Sequence, residues 1–243
     1  MIQIKNLSKS FEGQKIIKNV NLEIYDNETL VILGPSGQGK TVFIKTIVRL
    51  FEPDSGEIIF DGINICSLKK RQLDEFRKKI AFVFQNSALF DFLDVRENLG
   101  LYLSMYKNKR PNEIEQIVLK ALNFVGLDRD VLEKYPEELS GGMKKRVAIA
   151  RALIKRPKYI FYDEPTTGLD KANAEKVSRL INLFKNEINT TSIVVTHDIQ
   201  LMKDVADRVA LLSNGRIEFI GKKEEIDNEK LSLLYNGGEI NGL

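Results

Sequence analysis

The chain has 243 residues, 43% of them hydrophobic, enough to bury a sizeable core as one domain or a domain with a lobe. A formal charge of +3 is too mild to argue for nucleic acid, and the one cysteine, Cys66, excludes an internal disulfide and fits a reducing compartment. No apolar stretch approaches the ~18 residues that a bilayer-spanning helix requires, and Met1-Ile2-Gln3-Ile4-Lys5-Asn6 reads as a strand rather than a signal peptide.

Alternating apolar residues at Ile2 and Ile4, then at Val20, Leu22 and Ile24, predict strands of a small antiparallel layer. Thr29-Leu30-Val31-Ile32-Leu33 is a continuous apolar run suited to a buried strand, and residues 42–48 have a helix-compatible apolar face. Between them stands Gly34-Pro35-Ser36-Gly37-Gln38-Gly39-Lys40-Thr41, which fits G-x-x-x-x-G-K-[ST]. Its physics is anion capture. Glycines let backbone N–H groups close on phosphates, Lys40 adds a mobile positive charge, and the Thr41 hydroxyl can ligate Mg²⁺. A chain this long meets the pattern by accident about one time in a hundred, and the strand and helix on its flanks argue against a bare Gly-rich turn.

Ile58-Ile59-Phe60 and Ile80-Ala81-Phe82-Val83-Phe84 are two further strand candidates. From about Ser87 to Arg156 the spacing turns helical, with Ile114, Ile117, Val118, Ala121, Leu122 and Val125 on one face between a starting Pro111 and a stopping Gly126. The basic clusters at residues 69–71, 77–79 and 107–110 read as solvated helix faces. Leu139-Ser140-Gly141-Gly142 precedes a helix-compatible stretch, Met143 to Leu153, that carries Lys144, Lys145, Arg146 and Arg151. Two glycines, a serine hydroxyl and a helix N-terminus make a second anion trap. One chain then has two phosphate-binding devices and a single phosphate loop, so two chains could share two nucleotides.

After Pro157 strands return at residues 159–162 and 192–196, with a helix over Lys171 to Glu187 between them. Arg208 to Ile220 reads as a hairpin around Asn214-Gly215, and the chain from Asn236 onward looks frayed. The strand–helix–strand alternation implies a parallel sheet flanked by helices, with the Ser87 to Arg156 block inserted as a helical lobe. A buried strand ending in Asp163 delivers a carboxylate to the sheet edge, where nucleotide-bound Mg²⁺ needs an oxygen ligand. Strand alternation would turn the next side chain, Glu164, the other way, toward an attacking water.

In this order the motifs resemble the nucleotide-binding subunit of ABC transporters over nearly the whole chain. The resemblance implies an α/β P-loop NTPase of ABC type, with a RecA-like parallel core and antiparallel layer at 1–86 and 157–225. A helical lobe at 87–156 and a short tail at 226–243 complete it. Walker A is matched by Gly34 to Thr41, the glutamine loop by Gln85, the signature by Leu139 to Gly142 with Met143 in its fifth place, and the D-loop by Gly168-Leu169-Asp170. It implies Glu164 as catalytic base, His197 as the residue that contacts the γ-phosphate, Phe11 stacked on adenine, and Thr41, Gln85 and Asp163 around Mg²⁺. Pro35, Ser36, Gly37 and Gln38 complete the ATP loop, and Ser140, Gly141, Gly142 and Asp170 meet the nucleotide across an ATP-sandwich homodimer. The implied partners are a second copy and an integral membrane permease, at the cytoplasmic face of the inner membrane.

Met143 with the basic helix after it, and Phe84-Gln85-Asn86-Ser87-Ala88-Leu89-Phe90, are similar to the ATPase of Mla-type, MCE-associated phospholipid transporters. That likeness implies phospholipid movement between membranes and an MCE lipid-binding protein as a further partner. Two other readings share the catalytic motifs: an importer ATPase for polar solutes such as amino acids, which usually has Gln in place of Met143, and a soluble ABC protein working on ribosomes or DNA. The latter commonly fuses two cassettes or inserts long coiled coils, and this chain has neither. Cys66 has no His or Cys partner nearby in sequence and is assigned no chemistry.

Overall fold

An apolar run without polar alternation suits a strand covered on both faces, and the computed structural model, which describes residues 1–107 and 109–235, bears this out. The expectations for Asn108 and for Asn236 onward lie outside the described residues. β3 (Thr29–Leu33) is buried at every residue, with Leu30 and Ile32 facing one core and Val31 and Leu33 the other. Beside it lie β8 (Thr191–Thr196) and β9 (Arg208–Ser213), each parallel to it, and beyond β8 come β7 (Tyr159–Asp163) and β6 (Ile80–Val83), also parallel. β10 (Arg216–Lys222) closes the six-stranded sheet as an antiparallel edge, turning from β9 through Asn214 and Gly215, both at positive φ.

A second sheet, antiparallel, packs on one face. It orders β2 (Gln14–Ile24), β1 (Ile2–Phe11), β4 (Ser55–Phe60) and β5 (Ile63–Asn64), so half of the layer comes from after the phosphate loop. Between the sheets Ile2, Ile4, Ile24 and Phe60 meet Phe43 of α1 (Lys40–Ile47), Phe76 of α2 (Lys70–Arg77) and Phe161 of β7. The opposite face is covered by α3 (Val95–Lys107), α4 (Pro111–Phe124), α5 (Gly141–Ile154), α6 (Lys171–Ile188) and α7 (Ile199–Val205), with α8 (Asn228–Tyr235) adding Leu231.

The helical spacing expected from Ser87 begins only at Val95. Residues 87–94 are irregular, with Ser87 and Ala88 both in the left-handed region at φ 61° and 46°. The cause is Asn98, 1% exposed, whose amide nitrogen donates to the carbonyls of Phe90, Leu93 and Asp94 while its oxygen accepts from Phe90 N–H at 2.8 Å. These bonds satisfy the loop backbone outside any helix. Among the cations of α5, Lys145 is buried.

Candidate nucleotide site

The phosphate loop joins β3 to α1, and Gly39 caps that helix at φ +89° with no side-chain cap, so its first-turn N–H groups are open to an anion. A Cβ on Gly39 would stand 2.8 Å from Ile16, so glycine is needed for space as well as for φ. The loop borders a cleft of about 410 Å³ whose lining includes Ser36, Gly37, Gly39, Lys40, Thr41, Gln85, Glu164 and His197.

Lys40, 5% exposed, donates to the carbonyls of Gly34 at 2.7 Å and Pro35 at 2.9 Å, and lies 3.1 Å from Glu164 Oε1. An ammonium has three N–H groups, so each has an oxygen in reach. Thr41 Oγ1 donates to Asp163 Oδ1 at 2.7 Å. A hydroxyl and a carboxylate in contact beside a phosphate loop are hard oxygen donors of the kind Mg²⁺ accepts alongside water and substrate phosphates, so these residues fit that metal.

Glu164 enters the cleft by a different route from the alternation expected of a strand. β7 ends at Asp163, and Glu164 takes a left-handed backbone, φ 47°, pinned by its N–H to the Val195 carbonyl at 2.9 Å. Such a conformation in a non-glycine residue costs on the order of 1–3 kcal/mol and gathers at functional sites. It aims the carboxylate at His197 Nδ1, 2.9 Å away, with Thr167 Oγ1 donating to it at 3.2 Å. Burial pushes the Glu164 carboxyl up, but the His197 hydrogen bond and the Lys40 charge outweigh it and hold it below the usual range. Its neighbour Asp163 goes the other way: burial raises it, against the Thr41 hydrogen bond. The two adjacent carboxyls are thus shifted in opposite directions.

The other sequence candidates divide. Gln38 turns to the β9–β10 hairpin, accepting from Asn214 N–H at 2.7 Å, and Phe11 is not among the lining residues, its ring meeting Phe51 edge-on at 5.2 Å. Ser140, Gly141, Gly142 and Asp170 form a separate cluster. Ser140 caps α5, accepting from Met143 N–H at 3.3 Å, and Asp170 caps α6 through Asn173. A Cβ on Gly142 would stand 2.6 Å from Asn173, so the signature glycine lets the two helix starts close together. Sequence reasoning missed Ile16 and Thr167 in the cleft and Lys145 behind it. Thr167, three residues after Glu164, was within reach of a turn argument, whereas Ile16 is an ordinary strand residue with no signal.

Lys145, 4% exposed, donates to the carbonyls of Gln85 and, at 3.4 Å, Glu164. Burial pushes its ammonium down to about 8, with the Asp163 and Glu164 charges acting in the opposite direction.

Residues 17–167 match the family model for the ABC transporter. The chain belongs to the ABC transporter family. It is an ATP-binding subunit of such a transporter and an ABC-type ATPase. A probable ribonucleotide transport ATP-binding protein, Mkl, of Mycobacterium leprae is 37% identical over 242 residues, which cover 98% of this chain and 70% of the relative. The sulfate/thiosulfate import ATP-binding protein CysA of Pseudomonas aeruginosa is 39% identical, over 97% of this chain and 71% of its own length. Among solved structures, a dimeric post-hydrolysis state of the ATP-binding cassette MJ0796 bound to ADP and Pi superimposes with a TM-score of 0.85 at 35% identity. It covers 91% of this chain and 98% of the other.

Proposed function

We propose that this ABC ATPase is the motor of a phospholipid transporter, working as a homodimer under an integral permease at the cytoplasmic face of the inner membrane. The hydrolytic half rests on one observation: the Glu164 carboxylate sits 3.1 Å from Lys40 and 2.9 Å from His197. The lipid half rests on Met143 and the Phe84 to Phe90 segment. Membrane association through a partner agrees with the absence, among the described residues, of any helix long and apolar enough to cross a membrane. The relatives named for ribonucleotide and sulfate transport favour a second reading, the movement of a polar anion by the same motor.

In the mechanism, N–H groups of residues 36–41 and the Lys40 ammonium take the β- and γ-phosphate oxygens of ATP. To do so Lys40 exchanges the Glu164 carboxylate for a phosphate oxygen, which frees Glu164. Thr41 and Asp163, with Gln85, hold Mg²⁺, which when bound supplies positive charge to neutralise the phosphates. Glu164 then accepts the proton of a water attacking the γ-phosphorus in line, as the bond to the bridging oxygen breaks and ADP and inorganic phosphate form. His197 contacts the γ-phosphate and Phe11 stacks on adenine. Ser140, Gly141 and Gly142 of one copy meet the γ-phosphate on the other, with Asp170 at the seam. Residues 87–156 form the lobe that relays closure from the Gln85 turn to the permease.

The test is reconstitution. Copurified with its permease and an MCE partner, the complex should move phospholipid between vesicles only with MgATP. Its Glu164→Gln form should bind MgATP, accumulate closed dimers by light scattering, and lose both transfer and turnover by about 100-fold or more. Uptake of an anion coupled to ATP, without lipid transfer, overturns the substrate assignment. Undiminished turnover in Glu164→Gln overturns the base.

A further inference from the structure

Lys145, Arg146 and Arg151 of α5, and Lys155 that caps its C-terminus, grip backbone carbonyls of other segments. Lys155 donates to the carbonyls of Arg77 at 3.1 Å and Ile80 at 2.6 Å, and Arg151 to those of Ser87 at 2.9 Å and Ala88 at 2.7 Å. Lys145 differs in joining two turns at once, that of Gln85 after β6 and that of Glu164 after β7. Neither acceptor carries a charge. Burial of the Lys145 ammonium outweighs the attraction of the nearby Asp163 and Glu164 carboxylates, so filling space does not by itself account for a lysine here. Local rules are broken in this way chiefly where function requires it. The Glu164 carbonyl held by Lys145 belongs to the same left-handed residue whose N–H is held by Val195, so both ends of the turn that aims the carboxylate are fixed.

We propose that Lys145 is a positioning residue for ATP hydrolysis. It locks the Gln85 and Glu164 turns in register, with α5 as the strut, so that the proton acceptor and the glutamine turn keep a fixed spacing. Lys145 is not itself among the residues lining the cleft and holds Gln85 and Glu164 from behind, by their backbone carbonyls alone, so nucleotide affinity should depend on it little. The inference rests on the reading of Glu164 as base.

Turnover and MgATP binding of the full chain decide it. Lys145→Met, of similar length but without a donor, should lower kcat about 10-fold or more while KM and the MgATP Kd stay within about twofold. Lys145→Arg, which keeps donors, should return kcat to within about threefold of wild type, a rescue that a purely packing role would not produce. A folded Lys145→Met with wild-type kcat, or equal losses in Met and Arg forms with affinity falling alongside, overturns the proposal. Should the Met form fail to fold, Lys145→Gln, one bond shorter with an amide donor, carries the test. Being too short to bridge both carbonyls, a folded Gln form should lose about threefold or more in kcat at unchanged affinity, and wild-type kcat in a form that cannot span the two turns overturns positioning. Glu164→Gln assayed alongside separates the two readings. Its activity at the wild-type rate sinks the base whatever Lys145 does, while a silent Glu164→Gln beside a fully active Lys145→Met sinks the positioning role alone.

Discussion

Each N–H of Lys40 has an oxygen in reach, two of them loop carbonyls and the third the carboxylate of Glu164. Lys40→Ala therefore removes the loop's internal brace together with the cation that phosphate would meet. MgATP turnover should fall about 100-fold or more and nucleotide affinity should weaken, checked by phosphate release and by titration with a fluorescent ATP analogue. Turnover within about twofold of wild type would remove Lys40 from the site. At this scale the phosphate loop was legible because its spacing encodes backbone geometry. The direction of Glu164 was not, because the left-handed turn that aims it depends on the Val195 carbonyl of a strand distant in sequence. The burial of Lys145 was not legible either, since nothing in Met143-Lys144-Lys145-Arg146 says which lysine of that basic helix turns inward.

α5 begins with Ser140 as its cap and the signature glycines packed on the start of α6, away from the lining of the Lys40 cleft in the same chain. If the signature serves a second copy, Ser140→Arg should abolish dimer turnover while MgATP affinity of the single chain stays within about twofold. Mixed with Lys40→Ala chains it should give MgATP-dependent heterodimers, seen by light scattering, which neither parent forms alone. Failure of the mixture to pair would count against a shared site. Elements with a clear apolar signature, the unbroken run of β3 and the one-sided spacing of α4, were legible in the sequence. The start of α3 was not, since the apolar spacing runs on through residues 87–94 and only the buried Asn98 side chain diverts that backbone.

At the scale of the whole molecule, the two sheets are joined at Asp61, in the turn between β4 and β5, which accepts from Lys158 at 2.6 Å and from Tyr159 of β7 at 2.7 Å. Burial pushes the Asp61 carboxyl up, yet the hydrogen bonds from Lys158 and Tyr159 outweigh it and bring it down to about 2. A folded-state value below the unfolded one gives stability that is present above pH ~4 and lost as pH falls through about 2. The carboxylate is 39% exposed, so screening discounts the effect, and Asp61→Asn should cost about 1 kcal/mol at pH 7. Asn tolerates the φ of 49° at this position, so the backbone adds little strain. Denaturant unfolding should show the gap between the two proteins closing toward pH 2, and a gap independent of pH would dissociate the carboxylate from the joint.

Gln85 follows β6, Glu164 follows β7, His197 follows β8 and the phosphate loop follows β3, and those strands are neighbours in that order. At about 4.8 Å per strand, the row of reactive groups spans roughly 14 Å of sheet edge whatever the chain does in between. Residues 86–158 leave and return at adjacent strands, so an insert of another length or shape would be closed by the same pair. Doubling such a loop costs only about 0.6 kcal/mol in closure entropy. If that insert is the part that meets a permease, as proposed, it can diverge with its cargo while the spacing of the proposed hydrolytic row is kept unchanged.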